Sequence, residues 1–233
     1  MPIITTAKEP LRMRFIKNLN FVKKRWLLLL YFPIYLIWFF ILEQRDTTNF
    51  HMIHTALDDH IPFCEYFVIP YFLWFAYIGF AFLAFIFEEN GKDYYRLCMN
   101  IFIGMTIFLI ISTIYPNYQD LRPTKFTQDN IFVTITQFLY SIDTSTNLFP
   151  SIHVFNVLGV HIAIVKGERY SNKKYNYIKL ISFIVMVSII LATVFLKQHS
   201  CFDVATAFLM QAVLYPFIYG KHNEDLERKL KAA

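Results

Sequence analysis

Two residues late in the chain have the types and spacing for catalysis. His199 and Asp203 lie four positions apart at the boundary between two apolar runs. Side chains at that spacing share one helix face, so the carboxylate can orient the imidazole. Ionisable residues at the edge of a membrane span usually mark function. Two further polar clusters, around Arg122 and around Ser151 and His153, carry groups that bind phosphate or move protons.

The elements that position these residues are predicted to be membrane helices. The chain has 233 residues, of which 56% are hydrophobic and 19% aromatic, with a mean hydropathy of +0.41. Soluble domains are about 45–50% apolar. Here the excess is concentrated in runs of the length that crosses a bilayer. We therefore expect an all-α bundle of six transmembrane helices, over residues 26–42, 66–87, 98–115, 149–165, 178–196 and 200–219.

The predicted domain organisation is simple. Residues 1–25 are basic and place apolar residues on one helical face, which predicts an amphipathic helix lying on the membrane. Residues 26–220 form one membrane domain, and residues 221–233 form a cytoplasmic tail. The polar stretch after the third span has room for a short interfacial helix over residues 131–140.

The distribution of lysine and arginine predicts the orientation. The N-terminal segment, the loops after spans two and four and the tail hold 18 of the 22 basic residues. Because basic loops stay in the cytoplasm, we expect both termini there and the three polar clusters at the extracytoplasmic face. The expected location is the plasma (cytoplasmic) membrane. The net charge of +5 follows from these topology signals and does not indicate a nucleic-acid partner.

At these residues the chain resembles the type 2 phosphatidic acid phosphatase superfamily. That superfamily has a Lys followed after six residues by Arg-Pro, then Pro-Ser-Gly-His, then Ser-Arg followed after five residues by His-x-x-x-Asp. Arg122, Ser151, His153, His199 and Asp203 match. The positions that differ are the motif-one Lys, here Tyr115, the glycine of motif two, here Ile152, and the Ser-Arg pair, here Ala192 and Thr193.

The resemblance implies a metal-free mechanism in which each matching residue has a role. His199 would attack phosphorus and form a phosphohistidine, Asp203 would orient its ring, and His153 would protonate the leaving group. Arg122 and Ser151 would bind the phosphoryl oxygens, and Lys197 is a candidate replacement cation from the same segment. No cofactor is implied.

Two functions from this class stay open, and a third comes from another class. The first is a phosphatase that hydrolyses a lipid phosphate or a polyprenyl diphosphate. The second is a phosphotransferase, similar to inositol phosphorylceramide synthases, that moves a phospho-head-group to a hydroxyl acceptor. The third is a small transporter, but transporters carry ionisable groups near mid-membrane, whereas here the charges collect at one edge. Membrane lipids are the expected partners, and the oligomeric state is not predicted.

Overall fold

The computed structural model describes residues 24–45, 49–88 and 91–220. Within them the chain is all-α, as predicted, apart from one pair of two-residue strands. The α-helices are α1 (Tyr31–Glu43), α2 (Ala56–His60), α3 (Val68–Ile86), α4 (Lys92–Ile114), α5 (Ile131–Ile142), α6 (Ile152–Lys166), α7 (Asn176–Phe195) and α8 (Cys201–Tyr219). The strands are β1 (His51–Met52) and β2 (Asn117–Tyr118). The tail over 221–233 and the predicted interfacial helix, except for residues 24 and 25, lie outside the described residues.

Five helical segments are long and apolar enough to cross a membrane. They are Lys24–Glu43, Glu65–Ile86, Lys92–Ile114, Lys173–Phe195 and Cys201–Tyr219, with lengths from 19 to 23 residues. Their outward faces carry large apolar side chains, such as Phe80 with 71% of its surface exposed. Apolar surface of this extent is typical of contact with lipid. The fold is therefore that of an integral membrane protein.

The fourth predicted span differs from this set. Residues 149–165 were predicted to cross the bilayer, but α6 has only 15 residues and begins at Ile152. At 1.5 Å per residue it is about 22 Å long. Ten of its residues are buried, because it packs against α3, α4, α7 and α8. Its apolar sequence reflects enclosure by protein, so within the described residues four of the five long helical segments pack around a shorter central helix.

The two ends of the bundle have different chemistry. At one end, basic side chains bind backbone carbonyls: Arg25 Nη1 donates to Ile86 at 2.6 Å and Arg169 Nη1 donates to Ala84 at 3.0 Å. Lys92 pairs with a glutamate at the same end at 3.5 Å. The opposite end holds the strand pair, α2, α5 and all three of the polar clusters. The bundle thus separates its basic edge from its candidate site.

A small framework fixes the chain where it enters α6. The strands pair in parallel, with His51 opposite Asn117. The side-chain oxygen of Asn117 accepts the backbone N–H groups of Leu148 and Phe149 at 2.7 and 3.0 Å. These contacts hold the segment leading to His153.

Asp58 in α2 fixes the start of α8 in the same way. Its carboxylate accepts the Cys201 N–H at 2.7 Å and the Ser200 hydroxyl at 2.6 Å. Burial alone would raise the pKa of Asp58, but these hydrogen bonds and those from Thr55 outweigh it and lower the pKa. An ionised Asp58 therefore anchors the turn that carries His199.

Candidate active site

The turn between α7 and α8 positions His199 beside Asp203. Lys197 adopts a left-handed conformation, with φ 54°, which ends α7. Ser200 then caps α8: its hydroxyl accepts the Phe202 N–H at 3.2 Å, and Asp203 Oδ2 accepts the Ser200 N–H at 3.0 Å. This is a capping box. His199 Nδ1 lies 3.4 Å from Asp203 Oδ2, so the two residues meet through the cap and not on one helix face.

The first turn of α6 brings the second imidazole to the first. Ser151 is the N-cap of α6, and its hydroxyl accepts the Val154 N–H at 3.3 Å. His153 follows two residues later, and its Nδ1 lies 3.2 Å from His199 Nε2. The two histidines, 46 positions apart in the chain, are therefore in direct contact.

Sequence reasoning missed two residues that extend this contact. The Tyr71 hydroxyl, from α3, lies 3.1 Å from His153 Nε2 and donates to Asp143 Oδ2 at 2.7 Å. The result is one continuous chain of five groups: Asp143, Tyr71, His153, His199 and Asp203. Tyr71 lies within an apolar run and Asp143 in a polar connection with no motif spacing, so neither had a sequence signal.

Both imidazoles line an apolar cavity of about 250 Å³. Six aromatic side chains from α1 and α3 line it, and Trp74 is centred 4.7 Å from the His153 ring. Asp143 is the charged residue among the described residues that line the cavity. A second cavity, of about 430 Å³, shares Tyr35, Leu36, Trp74 and Phe75 with the first and continues between α1 and α3.

Arg122 lies next to the histidines but is directed at internal acceptors. Its guanidinium donates to the carbonyls of Tyr140 at 3.3 Å and Thr144 at 2.9 Å and to the Gln198 side chain at 2.5 Å. The guanidinium also lies 4.4 Å from the centre of the Tyr140 ring. Arg122 therefore contacts Gln198, the residue that precedes His199, and does not line the cavity.

Ser151 and Lys197, the other two predicted phosphate ligands, also form hydrogen bonds within the protein. The Ser151 hydroxyl caps α6, as described above. Lys197 points away from the histidines, and its ammonium donates to the Asp58 carbonyl at 2.7 Å. The structure thus brings together the three predicted catalytic residues and places the three predicted phosphate ligands around them, outside the cavity.

Burial controls the charge of His199. The side chain is 3% exposed, and burial lowers its pKa to about 4; the charge of Arg122 lowers it further and Asp143 raises it. Burial also lowers the pKa of Arg122. His199 is therefore neutral at physiological pH, the form in which an imidazole nitrogen is nucleophilic.

No protein-family model, curated protein or solved structure matches the chain. The resemblance to the phosphatidic acid phosphatases therefore rests on the motif residues alone.

Proposed function

We propose that this protein is an integral membrane phosphatase that hydrolyses a lipid phosphate or a polyprenyl diphosphate through a phosphohistidine. The observation that carries the proposal is the 3.2 Å contact between His153 and His199 at the wall of an apolar cavity. Two imidazoles in contact can supply a nucleophile and a proton donor to one phosphorus atom.

In the proposed reaction the phosphoryl group inserts between the two rings. His199 Nε2 attacks phosphorus, the bond to the leaving oxygen breaks, and that oxygen takes a proton from His153. Water then attacks the phosphohistidine and gives a proton to His153. The P–N bond breaks, which releases phosphate and neutral His199. Asp203 holds the ring throughout, and Arg122 turns from its carbonyl partners to bind phosphoryl oxygens.

The two cavities together form a groove between α1 and α3, and this groove supports an amphiphilic substrate. From Phe72 to Leu83 its α3 wall extends about 16 Å from the histidines toward the basic end of the bundle. A β-carbon added at Gly79 would meet no atom within 4 Å, so the groove has open space there. An apolar chain bound here would lie parallel to the membrane lipids.

The proposed setting is a six-helix arrangement in which α6 completes the bundle inside the five long helices. The basic end faces the cytoplasm, both termini lie there, and the histidines act at the extracytoplasmic face of the plasma membrane. The segregation of basic side chains to the end opposite the histidines supports this orientation.

Transfer to a hydroxyl acceptor is the second candidate. The observation that favours it is the burial of His199, which is 3% exposed. A phosphohistidine shielded from bulk water would react preferentially with a bound alcohol.

The test uses purified protein in detergent with a panel of lipid phosphates, in the presence and absence of EDTA. We expect phosphate release that survives EDTA and is lost in His199→Gln. Movement of a labelled head-group to an added alcohol without phosphate release would instead establish the transferase. Full phosphate release by His199→Gln would refute the proposed nucleophile.

A second experiment tests the groove. Gly79→Phe places a ring in the open space, so we expect lower activity on long-chain lipid phosphates and unchanged activity on short-chain ones. The matched control is Phe80→Leu, since Phe80 is 71% exposed on the outer face of the same helix. Equal loss on long and short chains would show that the groove does not bind the apolar chain.

A further inference from the structure

His153 has a second set of contacts that the proposed reaction does not use. Its Nδ1 faces His199, whereas its Nε2 faces the hydroxyl of Tyr71 at 3.1 Å. Tyr71 is 1% exposed and donates to Asp143 at 2.7 Å. Each imidazole is thus backed by a carboxylate: His199 directly by Asp203, and His153 through a phenol by Asp143.

The hydrogen-bond chain formed by these five groups holds one proton fewer than its contacts need. Its four contacts each need one hydrogen. With both carboxylates counted as ionised, the two neutral imidazoles and the phenol supply three. Since Tyr71 donates to Asp143, the contact between Tyr71 and His153 requires a proton on His153 Nε2. A second proton on Nδ1 would complete the contact with His199 and leave His199 Nδ1–H for Asp203.

The surroundings also favour an additional proton. Asp203 Oδ1 is buried and has no hydrogen-bond partner among the described residues, so the negative charge of Asp203 is poorly compensated. Asp143, which is half-buried, adds a second carboxylate to the same hydrogen-bond chain. One extra positive charge on the imidazoles offsets part of this negative charge.

We propose that Tyr71 and Asp143 are positioning residues for His153. They hold a proton on its Nε2, so that Nδ1, which faces the inserted phosphoryl group, is the atom that donates to the leaving oxygen. They also raise the affinity of this hydrogen-bond chain for a fourth proton. The catalytic part of this inference rests on the proposed phosphatase reaction; the proton affinity does not.

Several titratable groups lie around His153, in α1, α3, the connections that flank α5, and the segment that runs from the turn before α8 into α8. They are Glu43 of α1, Tyr71 of α3, Arg122 and Asp143 of the connections flanking α5, His199 of the turn before α8 and Asp203 of α8. The carboxylates favour a proton on the imidazoles, and the guanidinium opposes it. Removing Asp143 therefore removes a favourable charge, and removing Tyr71 disconnects it.

The test is a ¹⁵N NMR titration of the histidine ring nitrogens in detergent, with signals assigned from His153→Gln and His199→Gln. We expect the His153 protonation midpoint to fall by about one pH unit or more in Tyr71→Phe and Asp143→Asn. Asp143→Glu should restore it. The control is Tyr77→Phe, a tyrosine of the same helix whose hydroxyl lies 2.7 Å from Ser182 Oγ. An unchanged midpoint in both variants, with the protein folded, would overturn the inference.

Activity gives an independent reading of the same variants. If the proposed phosphatase reaction is correct, kcat falls about 10-fold or more and the alkaline limb of its pH profile moves to lower pH in Tyr71→Phe. A merely structural role would lower stability without moving that limb. A shifted NMR midpoint in a protein that cleaves no phosphate ester would refute the proposed function and leave the proton affinity standing.

Discussion

Helix α6 carries two histidines, and each belongs to a hydrogen-bond chain that includes a tyrosine of α3. The two hydrogen-bond chains differ in the groups at their ends. His153 contacts Tyr71 of α3 and His199, and the chain ends in a carboxylate on both sides. His161, two turns further along, contacts the Ser182 hydroxyl at 2.8 Å, and Tyr77 of α3 lies 2.7 Å from that same hydroxyl.

The difference lies in charge. The chain through His161 joins three helices by neutral groups, and among the described residues no carboxylate is hydrogen-bonded to it. Such contacts hold membrane helices together at about 0.6 kcal/mol each. The chain through His153 has two carboxylates to stabilise a moving proton. Polar residues in the same helix thus serve cohesion at one level and, in our proposal, chemistry at the other.

The largest expected effect comes from the nucleophile. His199→Gln should lower phosphate release by at least about 10³-fold, because no other group replaces the attacking nitrogen. His161→Gln should keep kcat within about twofold. Steady-state assays of the two purified variants measure this difference in kcat. Similar losses in both would show that the two hydrogen-bond chains do not differ in function.

The carboxylate behind the nucleophile should come next. Asp203→Asn keeps an oxygen for the cap of α8 but no longer stabilises charge on His199, so we expect kcat to fall about 10²- to 10⁴-fold. The matched change in the other chain is Ser182→Ala, which should leave kcat nearly unchanged. A fall of less than about threefold in Asp203→Asn would contradict the orienting role.

Packing beneath His153 provides a third test. A β-carbon at Gly104 of α4 would clash with the ring of Phe155 in α6, whereas one at Gly79 would meet nothing within 4 Å. Gly104→Ala should lower the free energy of unfolding by about 1–3 kcal/mol and reduce kcat, because α6 is displaced. Gly79→Ala should be neutral or stabilising in thermal denaturation. Equal stability of the two variants would show that α6 is not tightly held.

The smallest expected effect is a displaced pH profile. Burial lowers the pKa of His199 to about 4 from its ordinary value of about 6.5. The neutral nucleophile therefore persists as the pH falls to about 4, where the acid limb of kcat/KM should lie. Because the unfolded chain binds the proton more readily, stability should rise with pH between these values.

Arg122 sharpens this prediction. Its charge contributes to the low pKa of His199, so Arg122→Gln should move the acid limb toward higher pH. The measurement is kcat/KM from pH 3.5 to 8 for both proteins. An acid limb near pH 6.5 in the unmodified protein would show that His199 is not the titrating nucleophile.

Much of the fold could be predicted because membrane helices are defined by apolar length. Five of the six predicted spans coincide with long helices, with ends that differ by up to six residues. The exception is α6, whose apolar residues face protein, and hydropathy does not distinguish a lipid-facing helix from an enclosed one. The helix begins after its N-cap, Ser151. This serine is part of the sequence motif, but the predicted span was placed by hydropathy and began at residue 149.

The sequence predicted which residue types meet at the site. It did not predict the contacts that depend on the direction in which the backbone points a side chain. His153, His199 and Asp203 come together as their types suggested. Lys197 does not face the cavity because its left-handed backbone turns the side chain toward Asp58. A buried tyrosine such as Tyr71 has the same sequence signature as one anchored at the membrane interface.

The most direct test of the central claim is to trap the phosphorylated protein. Purified protein is mixed with a lipid phosphate labelled with ³²P in the phosphoryl group, quenched in alkali within milliseconds, digested, and analysed by mass spectrometry. We predict an alkali-stable, acid-labile phosphohistidine at residue 199 that disappears in His199→Gln. Continued turnover in that variant, or a phosphoryl group trapped on any other residue, would contradict it.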